Sequence, residues 1–333
     1  MENLLSIHWW HWVAFLGLVI ALLLADLIIF HRRNERPSLR QAAWWSFVWI
    51  ALALAFNAFV WWWGWYQHGT SEAGVKFLTG YVVEKSLSVD NLFVFAVIFQ
   101  YFGIDLRYQY RVLFWGVLGA IVMRGIFVLA GVELIRAFDW VMVVFGLFLV
   151  YTAIKLAFSD DEQIDPEKNF MLRIARRYFR MTGELHGERF FVRQDGLWYA
   201  TPLLLVLLVI ESSDVLFAVD SVPAVLGVSR DPFIVYSSNI FAILGLRALY
   251  FLLAGMLDRF EYLQFGLSAV LGFIGVKMVG EYAAEKWFGH HGHLIGPWWS
   301  LAIVGGILTL SVLPAFWKRD ASTAAPSEPG NEK

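Results

Sequence analysis

The chain has 333 residues, of which 59% are hydrophobic, 17% aromatic and 16% charged, and its mean hydropathy is +0.59. A water-soluble domain cannot hide that much apolar surface, so a conventional soluble enzyme is excluded. The formal net charge of -2 says little, because the placement of charge matters more than its sum in a membrane protein, whereas the absence of cysteine excludes disulfides, thiolate metal sites and cysteine nucleophiles.

Apolar runs of about 20 residues, the length of helix that spans a bilayer core of roughly 30 Å, recur along the chain. They predict an all-α polytopic bundle of nine spans: 8–30, 42–66, 73–102, 111–131, 138–158, 200–228, 232–256, 263–284 and 294–317. The first has no basic leader and no small-residue cleavage site, and His31, Arg32 and Arg33 follow it. It reads as an uncleaved span with the N-terminus outside. Under that orientation the cytoplasmic loops hold most of the 26 Lys and Arg, and the outer loops hold only Lys76, Arg136, Arg230 and Lys286. The positive-inside rule therefore gives an N-out, C-in topology.

Between the fifth and sixth spans the polar segment 159–199 opens acidic and turns basic. Its stretch 173–180 interleaves Ile174, Tyr178 and Phe179 with arginines, as suits a helix lying on an anionic inner leaflet. RFFVRQDGLWYAT, from Arg189, predicts a small hairpin turning at Asp195-Gly196. The expected organisation is two leading membrane helices (1–72), three more (73–158), a cytoplasmic linker (159–199), a second set of three (200–284), an outer loop with the last helix (285–317) and a disordered tail (318–333).

The two sets of three resemble each other. Ser88-x-Asp90-x-Leu92-Phe93 matches Ser212-x-Asp214-x-Leu216-Phe217, and RGIFVLAG from Arg124 resembles RALYFLLAG from Arg247 at nearly the same offset. Phe138-Asp139-Trp140 with Lys155 likewise resembles Phe260-Glu261-Tyr262 with Lys277. By the topology above the two copies enter the membrane from opposite sides. An inverted three-plus-three repeat with polar helices meeting near the midplane is a recurring plan of secondary transporters.

The third helix carries Glu84, Lys85, Asp90 and Asn91, the sixth carries Glu211, Asp214 and Asp220, and Arg124, Asn239 and Arg247 lie inside the fourth and seventh. A charge at the bilayer centre costs about 2.5 to 3.5 kcal/mol on insertion scales, so such a set persists only when paired or lining a polar cavity. Glu84, Ser88 and Asn91 share a helix face, and Glu211 and Asp214, three apart, can converge on one ion. Pro223 removes a backbone donor beside Asp220 and is expected to kink or break the sixth helix there. Lys85, Arg124 and Arg247 read as counter-ions or gating groups, with Asp26 and Asn239 as accessory positions. An oxygen-only, acidic donor set favours a hard divalent cation such as Mn2+, Mg2+ or Ca2+. His290, His291 and His293 read as a solvated outer loop, and the many tryptophans near span ends as an interfacial belt.

EKSLSVDNLFVFAVIF from Glu84 and ESSDVLFAVDSVPAVLGVSRDPFIVYSSNIFAILGLRALYF from Glu211 resemble the motifs of the TerC/Alx family of integral membrane proteins. That resemblance implies metal-ion handling, chiefly manganese export, and makes Glu84, Asp90, Glu211, Asp214 and Asp220 the acidic motif positions, with the chain nearest the Alx-type exporters. The resulting expectation is a secondary transporter in the bacterial inner membrane that exports Mn2+, with the metal as cargo, no prosthetic group, and the metal ion and the lipid bilayer, not nucleic acid, as partners. A cation channel and a membrane factor that supplies metal to exported proteins are the alternatives. Moving a divalent cation outward against 100 mV costs about 2 × 2.3 kcal/mol, so export needs coupling, and exchange for two protons, with Asp220 as the proton carrier, would cancel that cost.

Overall fold

A computed structural model describes residues 5–31, 38–158, 177, 180–182, 185–194, 196–253, 262–288 and 294–317, with the side chains of 28–31, Asp90 and 315–317 outside that description. The expected amphipathic stretch 173–180, for the most part, and the HHGH loop and the tail lie outside the described residues.

Polar punctuation between the apolar runs sets the helix starts. Ser38 caps α2 (Leu39–His68) in a capping box with Gln41, and Gly69, in the left-handed region at φ 68°, ends it. Asp231 accepts hydrogen bonds from the backbone N–H groups of Phe233 and Ile234 ahead of Pro232, a cap worth about 1 kcal/mol. The remaining helices are α1 (Trp9–His31), α3 (Glu72–Tyr101), α4 (Leu106–Ala137), α5 (Val141–Phe158), α6 (Pro202–Leu226), α7 (Pro232–Leu244), α8 (Leu246–Leu253), α9 (Leu263–Phe288) and α10 (Pro297–Trp317). The expected hairpin forms as β1 (Phe191–Gln194) and β2 (Leu197–Ala200), paired antiparallel around Gly196 at φ 82°.

The chain folds as an all-α polytopic helix bundle. Among the described residues seven helices are long and apolar enough to cross a membrane, and α7 with α8, bent by 41°, makes an eighth if the pair is one span. The third expected span, α3, is not among them: it is long enough at 30 residues, but Glu84, Lys85 and Asp90 crowd its middle. The bundle compensates by burying it. Positions 73 to 83 of α3 are almost wholly enclosed, by packing against α2, α6, α7 and α10. In contrast, Trp44, Phe47, Leu54, Phe59 and Trp62 of α2 face outward, as a lipid-facing surface requires.

Helix directions follow from which residues meet. A Cβ built at Gly80 would touch Ser238, and Lys85 reaches Ala242, so α3 and α7 run parallel. Gly116 meets Ile210 and Gly131 meets Leu226, so α4 and α6 also run parallel. Short connections turn α3 back into α4 and α6 back into α7, and therefore α3 and α6 run in opposite directions. The last pair is antiparallel as well: Gly146 of α5 lies against Gly275 of α9, while Ala153 lies against Ser268. At that crossing a Cβ on Gly275 would stand 2.6 Å from the Gly146 carbonyl oxygen, so the absence of side chains lets the two backbones touch.

Candidate functional site

Arg124 sits at the centre of the bundle with no solvent exposure. Its guanidinium is an ion-pair partner of Glu84 on α3, and its Nη2 stands 3.4 Å from Asp214 Oδ1 on α6. Nη1 also donates to Ser221 Oγ (3.0 Å) and to Asn239 Oδ1 (2.9 Å) on α7. Four helices thus converge on one side chain. The sequence provides for this locally: Asp214 and Ser221 are seven residues apart and share a face of α6, while Ser88, one turn beyond Glu84, donates to its carboxylate at 3.4 Å.

The network is charged and incompletely satisfied. Two carboxylates face one guanidinium, leaving the trio at one negative charge when all are ionised. Glu84 Oε2 and Asp214 Oδ2 are buried without a hydrogen-bond partner among the described residues. An unpaired buried oxygen costs about 1 to 3 kcal/mol, more for a charged group, so two of them on carboxylates that share one guanidinium mark a place with spare cation-binding capacity. Glu211 adds to it: its carboxylate packs against Gly119 of α4, where any Cβ would collide with it, and it is close enough to Asp214 for the two charges to repel. Among the described residues no three His, Asp or Glu side chains stand together as a ready metal cluster. The acids meet through Arg124 instead.

The other expected site residues divide. Asn91 is buried two turns along α3 from Glu84, and the side chain of Asp90 lies outside the described residues. Asp220, next to Ser221 but a third of a turn round α6, leaves the Arg124 network and accepts from Thr152 Oγ1 of α5 at 3.3 Å, with the charge of Lys155 close by. The ion pair of Arg247 is with Asp26 on α1, beneath the ring of Tyr110 at 4.1 Å, and apart from the Glu84–Arg124–Asp214 network. The two arginines therefore do different work: Arg124 takes one carboxylate from α3 and one from α6, whereas Arg247 takes one from α1.

Of the kink or break expected at Pro223, the break does not occur. Pro223 lies inside α6, which continues to Leu226. Proline removes only its own hydrogen bond, and one turn from the helix end the loss is absorbed without a break. The interruption falls in the next span, at Gly245 between α7 and α8. There the Nζ of Lys85 donates to the Ala242 carbonyl at 3.0 Å, supplying a cation and a donor to the C-terminal turn of α7. Lys85 is thus tied to the helix break and, among the described residues, not to an acid of the network. Ser221, Thr152, Gly119 and Gly245 were not singled out from the sequence; the glycines, each small among bulky neighbours in an apolar run, were the available signal.

The model of the integral membrane protein TerC family matches residues 69–323. An uncharacterised membrane protein of Myxococcus xanthus is 44% identical over 320 residues, 96% of each chain. Proteins named membrane-bound redox modulator Alx are 46% identical over 310 residues in Salmonella typhi, covering 92% of this chain and 94% of that one, and 48% identical over 272 residues in Escherichia coli K12, covering 80% and 85%. No solved structure matches the chain.

Proposed function

Because the chain belongs to the TerC family of integral membrane proteins, we propose that it is a secondary transporter of the bacterial inner membrane that exports divalent metal cations, Mn2+ first among them. The observation that carries this reading is the meeting of Glu84 and Asp214, one acid from each of two oppositely directed helices, on the guanidinium of Arg124, with an oxygen of each left unpaired. Arg124 holds the place of the cargo. A divalent cation brings one more positive charge than the guanidinium and ligates oxygens directly, so it competes for the same carboxylates. Glu211, at the edge of the network, and Asp90 and Asn91 on α3 complete the donor set. All are oxygen or amide donors, which suits a hard cation.

Movement is supplied by the α7/α8 break. A bent span whose C-terminal turn is held by Lys85 can change its angle without unwinding a whole helix. Asp220, set apart on the α5 side of α6, is the group through which proton exchange is coupled to the metal. The relatives' name, redox modulator, has no thiol basis in a chain without cysteine; an effect on cellular redox state would follow from moving a redox-active metal.

The experiment is Mn2+ flux into or out of proteoliposomes containing the purified protein. Flux in the wild type that is abolished in Asp214→Asn, with equal reconstitution, supports the reading. Equal flux in both would remove Asp214 from the path, and no flux of any divalent ion by the wild type would end the transport reading.

A further inference from the structure

The segment leading into α6 carries a surface that transport does not use. In the β1–β2 hairpin Phe191 pairs with Ala200 and Arg193 with Trp198, so Phe191, Arg193 and Trp198 share one face. That face is open away from its base, where Ala200 is buried: Phe191 is 43% and Trp198 65% exposed, whereas on the opposite face Val192 is buried and Leu197, beside the turn, is 45% exposed. Three large apolar side chains on eight strand residues are more than a water-facing hairpin ordinarily leaves uncovered.

Position restricts what covers them. Only Thr201 separates β2 from α6, and it is tied to the hairpin base by its N–H to the Phe190 carbonyl (2.9 Å) and its hydroxyl to the Arg189 carbonyl (2.7 Å). On the other side Arg111, near the start of α4, binds Glu188 at 3.3 Å and lies over the ring of Phe190. Two membrane-crossing helices therefore clamp the hairpin at the level where both enter the bilayer. Arg180, whose carbonyl accepts from the Ala200 N–H at 2.8 Å, is exposed there together with Arg189 and Arg193, and among the described residues the neighbouring acid, Glu188, is already taken by Arg111. Rings and arginines mixed at the entry of a membrane helix have the composition of an interfacial anchor, and the surplus positive charge complements an anionic leaflet.

We propose that the β1–β2 hairpin docks on anionic lipid headgroups of the leaflet from which α6 starts, with Phe191 and Trp198 entering the interface and Arg180, Arg189 and Arg193 holding phosphates. An RNA or an acidic protein would also meet the arginines, but neither accounts for exposed apolar side chains on a hairpin joined to a membrane span through the single residue Thr201. The inference rests on the membrane placement of α4 and α6, not on the identity of the cargo.

The chain lacks cysteine, so a single Gln194→Cys at the hairpin tip can carry an environment-sensitive fluorophore in the otherwise native full-length protein. In vesicles of phosphatidylcholine with phosphatidylglycerol, the label should lose quenching by aqueous iodide and gain quenching by lipids spin-labelled near the headgroup. In phosphatidylcholine alone, or with Arg180, Arg189 and Arg193 changed to Gln, iodide quenching should return. Equal iodide quenching in both lipids overturns the proposal, as does shielding that survives loss of the arginines. Shielding in phosphatidylcholine vesicles on addition of RNA or polyglutamate also overturns it and assigns the arginines to an acidic macromolecule.

Discussion

Glu84 on α3 and Asp214 on α6 share one guanidinium, that of Arg124, although their helices run in opposite directions. Each acid keeps one oxygen unpaired inside the bundle. The arrangement makes Arg124 the shared counter-ion of both acids and, under the proposed function, the group with which a metal cation competes for them.

Replacing Arg124 by Gln should therefore have two effects. Breaking a buried pair by removing one partner costs about 3 to 5 kcal/mol, so the melting temperature of the protein in detergent should fall. Mn2+ should then raise the melting temperature of Arg124→Gln more than that of the wild type, because the cation restores the lost charge. A variant destabilised but indifferent to Mn2+, Mg2+ and Ca2+ would reduce the network to a scaffold.

Gly119 sets the position of Glu211, and Gly119→Ala is expected to displace that carboxylate at the far end of a movable side chain without disturbing backbone. Folding should be preserved and Mn2+ flux reduced. In a double-mutant cycle, Glu211→Gln should cost little more flux in the Gly119→Ala background than Gly119→Ala alone. Additive losses would show that the two positions act independently.

The Lys85 bond to Ala242 holds the end of α7 at the break. Lys85→Met keeps the length and apolar stem but strands a carbonyl, a cost of about 1 to 3 kcal/mol. Amide exchange in 246–253 should rise in this variant while that of α4 stays unchanged. Unaltered exchange in α8 would mean that packing alone holds the bend.

At the α5/α9 crossing, Gly275→Ala places a methyl 2.6 Å from the Gly146 carbonyl and 3.0 Å from the Val150 nitrogen. Both obstacles are backbone, so the helices must part, with a loss of about 1 to 3 kcal/mol in unfolding from micelles. Gly305→Ala, where nothing lies within 4 Å, is the control and should be silent.

Coupling is tested at Asp220. An imposed proton gradient should accelerate Mn2+ transport in proteoliposomes by the wild type, and Asp220→Asn should lose that acceleration. Two protons exchanged per ion would make transport insensitive to membrane potential, since the charges cancel. A wild type indifferent to the pH gradient would eliminate proton antiport.

Composition alone was enough to place this chain in a membrane as a helix bundle, because runs of some 20 apolar residues have no other stable solution. The hairpin at Asp195-Gly196 and the acidic motifs were also legible, since turn chemistry and intramembrane charge are local properties of the chain. Which charge meets which was not. Arg124 and Arg247 occupy equivalent sequence positions, yet one gathers Glu84 and Asp214 while the other pairs with Asp26. Asp220 and Ser221 are neighbours in sequence, yet face α5 and Arg124 respectively. The interruption expected at Pro223 appears at Gly245, where α7 ends against Lys85 and Trp49. A sequence determines how strongly each group must be satisfied, because desolvation is paid residue by residue; only the tertiary structure, by fixing which helices are neighbours and in which direction they run, decides which partner satisfies it.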